Sequence, residues 1–140
     1  MLVSPVSEFM LNQTLTNDTV PLTSLPLCRV LLMNDSRYPW LILVPARPNI
    51  KEIYELSLSD QSQLMSELCR ASLALSNLLS PDKINIGALG NIVPQLHIHV
   101  IARFRLDAAW PNSVWGSHPP TPYKPSLLKE TLKNFQKAFF

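Results

Sequence analysis

The chain has 140 residues, 46% hydrophobic and 16% charged, with 12 Lys and Arg against 10 Asp and Glu for a net charge of +2. That length fits one domain burying about 68% of its unfolded surface. So scattered a basic balance excludes the electrostatic footprint of a duplex-DNA binder, and no nucleic-acid partner is expected. The opening MLVSPVSEFM has neither a basic nor an apolar leader region, and no run approaches ~18 apolar residues. Neither secretion nor membrane association is expected, and the cytoplasm is the expected location.

Residues 7–16 place Phe9, Leu11 and Leu15 on one side and predict a short helix, followed by a turn at Asn17-Asp18-Thr19. Residues 20–25 read as a weak strand ending at Pro26. Leu27–Met33 reads as a good strand, closed by Asn34-Asp35-Ser36. Trp40–Val44 is almost wholly apolar between two prolines, which predicts a strand covered on both faces. Over 58–79, Leu64, Leu68, Ala71, Leu75 and Leu78 share one helical face, with Ser57 or Ser59 as cap and Asp60 in the first turn. Ser80-Pro81-Asp82 ends that helix, and Ile84–Leu89 predicts the next strand before a turn at Gly90-Asn91.

The segment 107–125 carries Trp110, Trp115 and a cluster of prolines, and reads as an ordered but irregular extension. Leu128, Leu132, Phe135 and Phe139 then recur at helical spacing and predict a closing helix over 127–139, with Lys129, Lys133 and Lys137 opposite. Core or dimer packing suits this helix better than a membrane surface. Cys28 and Cys69 form no C-x-x-C pair, so no zinc or redox motif is suggested and two unpaired, buried or half-buried thiols are expected.

The most informative stretch is Gln95-Leu-His-Ile-His-Val-Ile-Ala-Arg103. Its alternation predicts a strand with Leu96, Ile98, Val100, Ala102 and Phe104 in a core and Gln95, His97, His99, Ile101 and Arg103 on the other face. Residues sharing a face lie roughly 6.5–7 Å apart, so two imidazoles stand side by side. A metal site would need a third ligand; His118 lies in the Pro-rich segment and no Glu follows the H-x-H, so no metal is expected. Nucleophilic catalysis needs an imidazole, a partner fixing its tautomer, and donors for the transferred group. These residues supply such parts.

The phrase GNIVPQLHIHVIARF resembles the motif of the histidine triad (HIT) family, His-φ-His-φ-His-φ-φ with φ apolar, and LCRVLLMND and YPWLILVPARP extend the resemblance over roughly 25–104. The resemblance implies an α+β fold: a five-stranded antiparallel sheet with one long helix packed on it, a short N-terminal helix and a C-terminal helix. It implies a homodimer acting on nucleotides as hydrolase or nucleotidyl transferase, with no cofactor. The expected organisation is a HIT-like domain over 1–106 and a closing extension over 107–140. By the same resemblance His97 is the nucleophile, His99 stands near the transferred phosphate, and the main-chain carbonyl of Gln95 orients His97.

Three positions depart from the family pattern: Gln95 replaces the first histidine, Trp40 stands where a further histidine is usual, and Ile92 replaces a loop hydroxyl. Asn85, Asn91 and Arg103 are the available phosphate donors, and Asn34 or Asp35 the candidate for the ribose. Each of these also has a structural reading as turn residue, loop cap or ion-pair partner. The alternative function is a nucleotide-binding or sensing protein with weak or lost catalysis.

Overall fold

The computed structural model describes residues 8–140. Five antiparallel strands, β1 (Thr19–Ser24), β2 (Cys28–Met33), β3 (Trp40–Pro45), β4 (Lys83–Gly87) and β5 (Ile98–Arg103), form one sheet in the order β1-β2-β3-β5-β4. Three helices, α1 (Gln13–Asp18), α2 (Leu58–Leu79) and α3 (Pro125–Ala138), complete the α+β fold. α2 is capped by Ser57, whose hydroxyl accepts from the Asp60 N–H, and by Ser80 in the left-handed conformation.

β3 and β5 are buried along their whole length, because the sheet is covered on both sides. Leu41, Leu43, Ile98, Val100 and Ala102 face a core built with Leu64, Leu68, Ala71 and Leu75 of α2 and Phe135 and Phe139 at the end of the chain. The other parity puts Trp40, Ile42, Val44 and Ile101 in a second cluster with Leu15, Ala109 and Val114. The partition of the histidine strand into two faces therefore holds, but its polar face is roofed by the N-terminal segment and the extension.

Several boundaries differ from expectation. The first helix starts at Gln13, where the Asn12 side chain accepts from Thr14 N–H; Ser7, at the start of the expected helix, lies outside the described residues. Asn17 and Asp18 finish α1 instead of forming a turn. β4 ends at Gly87, two residues early, and β5 begins at Ile98 because Leu96 N–H is spent on the Ile50 carbonyl at 2.9 Å. Leu78 is exposed on the last turn of α2, and Cys69 is exposed where a half-buried thiol was expected. Cys28 is buried, and burial together with nearby Glu67 pushes its thiol well above the usual range. Glu67 itself crosses from α2 to accept the N–H groups of Leu27 and Cys28 at 2.9 and 2.7 Å, tying helix to sheet.

The extension is held down at two places. Arg103, 1% exposed, gives its guanidinium to both carboxylate oxygens of Asp107 (2.8 and 3.0 Å), to the Asn85 side-chain carbonyl and to the Asn112 carbonyl. Further on, Arg37 donates to the Pro119 carbonyl, Ser36 N–H to Thr121, and Tyr123 N–H to the Asn34 side chain. The tryptophans of this segment are half-buried against the chain itself.

Burial raises the Asp107 carboxyl, but Arg103 and the N–H groups of Phe104, Trp110 and Ala109 outweigh it and hold it at about 2. Asp107→Ala strands a buried guanidinium and should destabilise the protein by about 3–5 kcal/mol in urea unfolding. Because the folded carboxyl titrates below the ordinary 3.8, its contribution is present above that pH and lost as pH falls toward about 2. A loss below ~1 kcal/mol would show that the buried pair contributes little.

Candidate active site

Extended backbone brings His97 and His99 onto one face, with ring centroids 5.1 Å apart and nearly edge-to-face. Both are buried. His97 lies just before β5, and its Nδ1 is 2.7 Å from the Gln95 carbonyl oxygen. A carbonyl can only accept, so Nδ1 carries the proton and Nε2 presents a lone pair. His99 is paired across the sheet with Ile42 on β3 and Gly87 on β4. Its Nδ1 accepts from the Trp40 indole N–H at 2.9 Å.

The side chain of Gln95 is engaged elsewhere. It accepts from Asn12 N–H and donates to the Met10 carbonyl, both at 2.8 Å, and so clips the N-terminal segment beside the site. Gln95 is thus a fastener whose main-chain carbonyl also reaches His97.

Gly87 was read only as part of a strand, yet it makes room for the roof. A Cβ there would lie 2.9 Å from the Trp115 ring, whose centroid is 5.5 Å from that of His99. The Trp115 indole N–H is buried and has no partner. No periodicity signals such a glycine; only the long-range return of the extension explains it.

His97 stands at the lip between two pockets. One of about 350 Å³ is lined by Trp40, Asn91, Val93, Trp115 and His118, among others. The second, of about 430 Å³, has Lys51, Glu52, Tyr54 and Gln61 in its wall. His118, weighed from sequence only as a third metal ligand, reaches the first pocket on the extension. Asn91 lines it as well. Ile92, 92% exposed, borders the same pocket.

The remaining candidates are placed otherwise. Arg103 and Asn85 bond each other and line neither of these pockets, so they hold the extension instead of offering donors to a phosphate. Asn34 accepts from Tyr123 N–H. Asp35 borders the first pocket, but its carboxylate is 2% exposed and engaged by Arg37. Burial raises this carboxyl, and its bonds to Arg37 and Thr121 outweigh that and lower it. Among the described residues, no group of three or more His, Cys, Asp or Glu is placed to hold a metal ion. No described helix is long and apolar enough to cross a membrane.

The family model described as "HIT domain" matches residues 15–106. The chain belongs to the HIT family. Three solved HIT proteins resemble it over nearly their whole lengths. The Bradyrhizobium japonicum histidine triad protein is 42% identical, with 96% of this chain and 100% of that one covered at a TM-score of 0.93. The Sinorhizobium meliloti HIT protein is 44% identical, with 93% and 96% covered and a TM-score of 0.90. The Marinobacter aquaeolei protein is 44% identical, with 95% and 97% covered and a TM-score of 0.93. A search of curated proteins finds no match. The resemblance to these HIT proteins includes the extension beyond residue 106.

Burial, with the neighbouring His97 second, lowers His99 from 6.5 to about 4. The unfolded chain therefore takes a proton near pH 6.5 that the folded HIT domain refuses. The stability at issue is present above pH 6.5 and lost as pH falls toward 4, about 3 kcal/mol in all. His99→Gln should lose less melting temperature than the unaltered protein between about pH 7 and about pH 4.5. Equal losses would contradict a buried neutral His99.

Proposed function

We propose that this HIT protein is a nucleotide phosphohydrolase or nucleotidyl transferase acting through a covalent nucleotidyl-histidine at His97. One observation carries the reading: the His97 ring is tied through Nδ1 to a main-chain carbonyl, which leaves the lone pair on Nε2, and His97 lines two pockets. Family membership supports it.

In the first step the Nε2 lone pair forms a bond to the α-phosphorus, and the bond from phosphorus to the leaving group breaks with its electron pair going to that group. In the second, water or another hydroxyl acceptor attacks phosphorus and gives up its proton to solvent, while the P–N bond returns its pair to Nε2. As positive charge develops on the ring, the Gln95 carbonyl stabilises it through the Nδ1 proton. His99 faces the same centre and stabilises charge on the phosphoryl oxygens.

The nucleoside would lie in the first pocket, against Trp40, Val93 and Trp115, with Asn91 and His118 as its polar contacts. The second pocket leaves room for a substrate larger than a mononucleotide. Asn34, Asn85 and Arg103 are assigned to holding the extension, and Asp35 to the pocket wall. A homodimer belongs to the same proposal: Met65 and Leu73 on α2 and Ile86 on the edge strand β4 are exposed apolar side chains that a second copy can cover.

The test is a substitution series assayed on an adenosine phosphoramidate, a dinucleoside polyphosphate and a UDP-sugar. His97→Ala should abolish turnover while nucleotide affinity stays nearly intact. His99→Ala should be milder, removing one donor worth about 3–4 kcal/mol of barrier. Gln95→Ala should be mildest, because the carbonyl survives, although the clip on Met10 and Asn12 is lost. Full activity in His97→Ala, or Gln95→Ala as the most damaging change, would refute the mechanism. Tight nucleotide binding without turnover of any substrate by the unaltered protein would point instead to a sensing role.

A further inference from the structure

Trp40, one of three positions that depart from the motif pattern read in the sequence, makes a well-defined side-chain contact in the site. Trp40 opens β3 and pairs with Ile101, whereas His99 pairs with Ile42, so the indole reaches diagonally across two strands. Its N–H meets His99 Nδ1 at 2.9 Å, with both residues buried and their ring centroids 5.6 Å apart. Trp115 covers another side of the same imidazole, and His97 stands next along the chain.

An indole N–H only donates, so its partner nitrogen has to hold a lone pair. A buried lone pair on Nδ1 leaves the ring proton on Nε2. His97 is in the opposite state, with the proton on Nδ1 and the lone pair on Nε2, because its partner is a carbonyl that only accepts. Two imidazoles two residues apart are thus held in opposite tautomers by partners of opposite polarity.

We propose that Trp40 is a positioning residue that locks His99 as the neutral Nε2–H tautomer, a hydrogen-bond donor that never serves as the acid. Doubly protonating His99 would break the indole bond, place two N–H groups face to face, and put charge in a buried ring beside His97. Low basicity of His99 agrees with this arrangement. A neutral imidazole donates a hydrogen bond without giving up its proton near neutral pH. His99 therefore stabilises oxygens that gain charge and leaves protonation of a leaving group to other groups or solvent. Its donor role toward a phosphoryl oxygen rests on the function proposed above; the tautomer and its cause do not.

Nitrogen-15 NMR of the imidazole rings, in the full chain without substrate, tests the tautomer directly. His99 should show a pyridine-like Nδ1 and a pyrrole-like Nε2, unchanged from about pH 7.5 to about pH 5.5, and His97 the reverse pattern near neutral pH. A proton on His99 Nδ1, or titration near the ordinary 6.5, would overturn the proposal without touching the assignment of His97 as nucleophile. Trp40→Phe keeps an aromatic ring and deletes the N–H. It should shift the His99 nitrogens toward a tautomer mixture and lower kcat between about tenfold and a hundredfold, with KM changed far less. Unchanged nitrogen signals, or shifted signals with full kcat, would overturn the positioning role. The spectrum of the unaltered protein decides the tautomer even where Trp40→Phe fails to fold.

Discussion

The roof over this site depends first on the guanidinium of Arg103. A buried arginine destabilises a fold unless its donors are matched, and here a bidentate carboxylate, an amide and a main-chain carbonyl match them. Two of those partners, Asp107 and Asn112, lie on the extension, so satisfying Arg103 folds the chain back over the sheet. That return seats Trp115 above Gly87 and beside His99, and helps bury both histidines. Part of the roof and of the wall of the first pocket thus follows from one charge that has to be neutralised.

Much of this order was legible in the residues. Period-2 alternation assigned β5 to two faces correctly, and helical spacing found α2 to the residue. Strand content and order agreed with the HIT fold, because local propensity and burial point the same way there. The misses share a cause. Arg103 and Asn85 were candidates for ligand contact as polar residues on or beside the histidine strand, and Asn34 and Asp35 through the resemblance alone. In space they hold the residue 107–125 segment, and no local pattern reports where an irregular segment returns. Gly87 was passed over, and His118 weighed only as a metal ligand, for the same reason. The start of β5 shifted inward because the Leu96 N–H finds a partner outside the ladder.

Trp40 and Gln95 read as losses when compared with the family pattern, and the structure gives both a physical purpose. Gln95 keeps the main-chain carbonyl that orients His97 and uses its amide to fasten the N-terminal segment. Trp40 fills a buried position and supplies the donor that His99 requires. The site thus divides labour by polarity: one imidazole is tied to an acceptor and left with a lone pair, the other is tied to a donor and left with a proton. Such pre-set hydrogen bonding suits a reaction in which charge moves onto one ring and onto phosphoryl oxygens beside the other. Membership of the HIT family alone would not specify it, since function resides in the particular site and not in the fold.

The central claim is that His97 bonds covalently to phosphorus. Mixing the protein with an adenosine phosphoramidate, quenching within the first turnover and weighing the intact chain tests it most directly. The account predicts a fraction of molecules heavier by one adenylyl group, with the added mass mapped to the peptide containing His97 and absent from His97→Ala. Turnover proceeding with no such adduct at any quench time, or an adduct on a different residue, would contradict it.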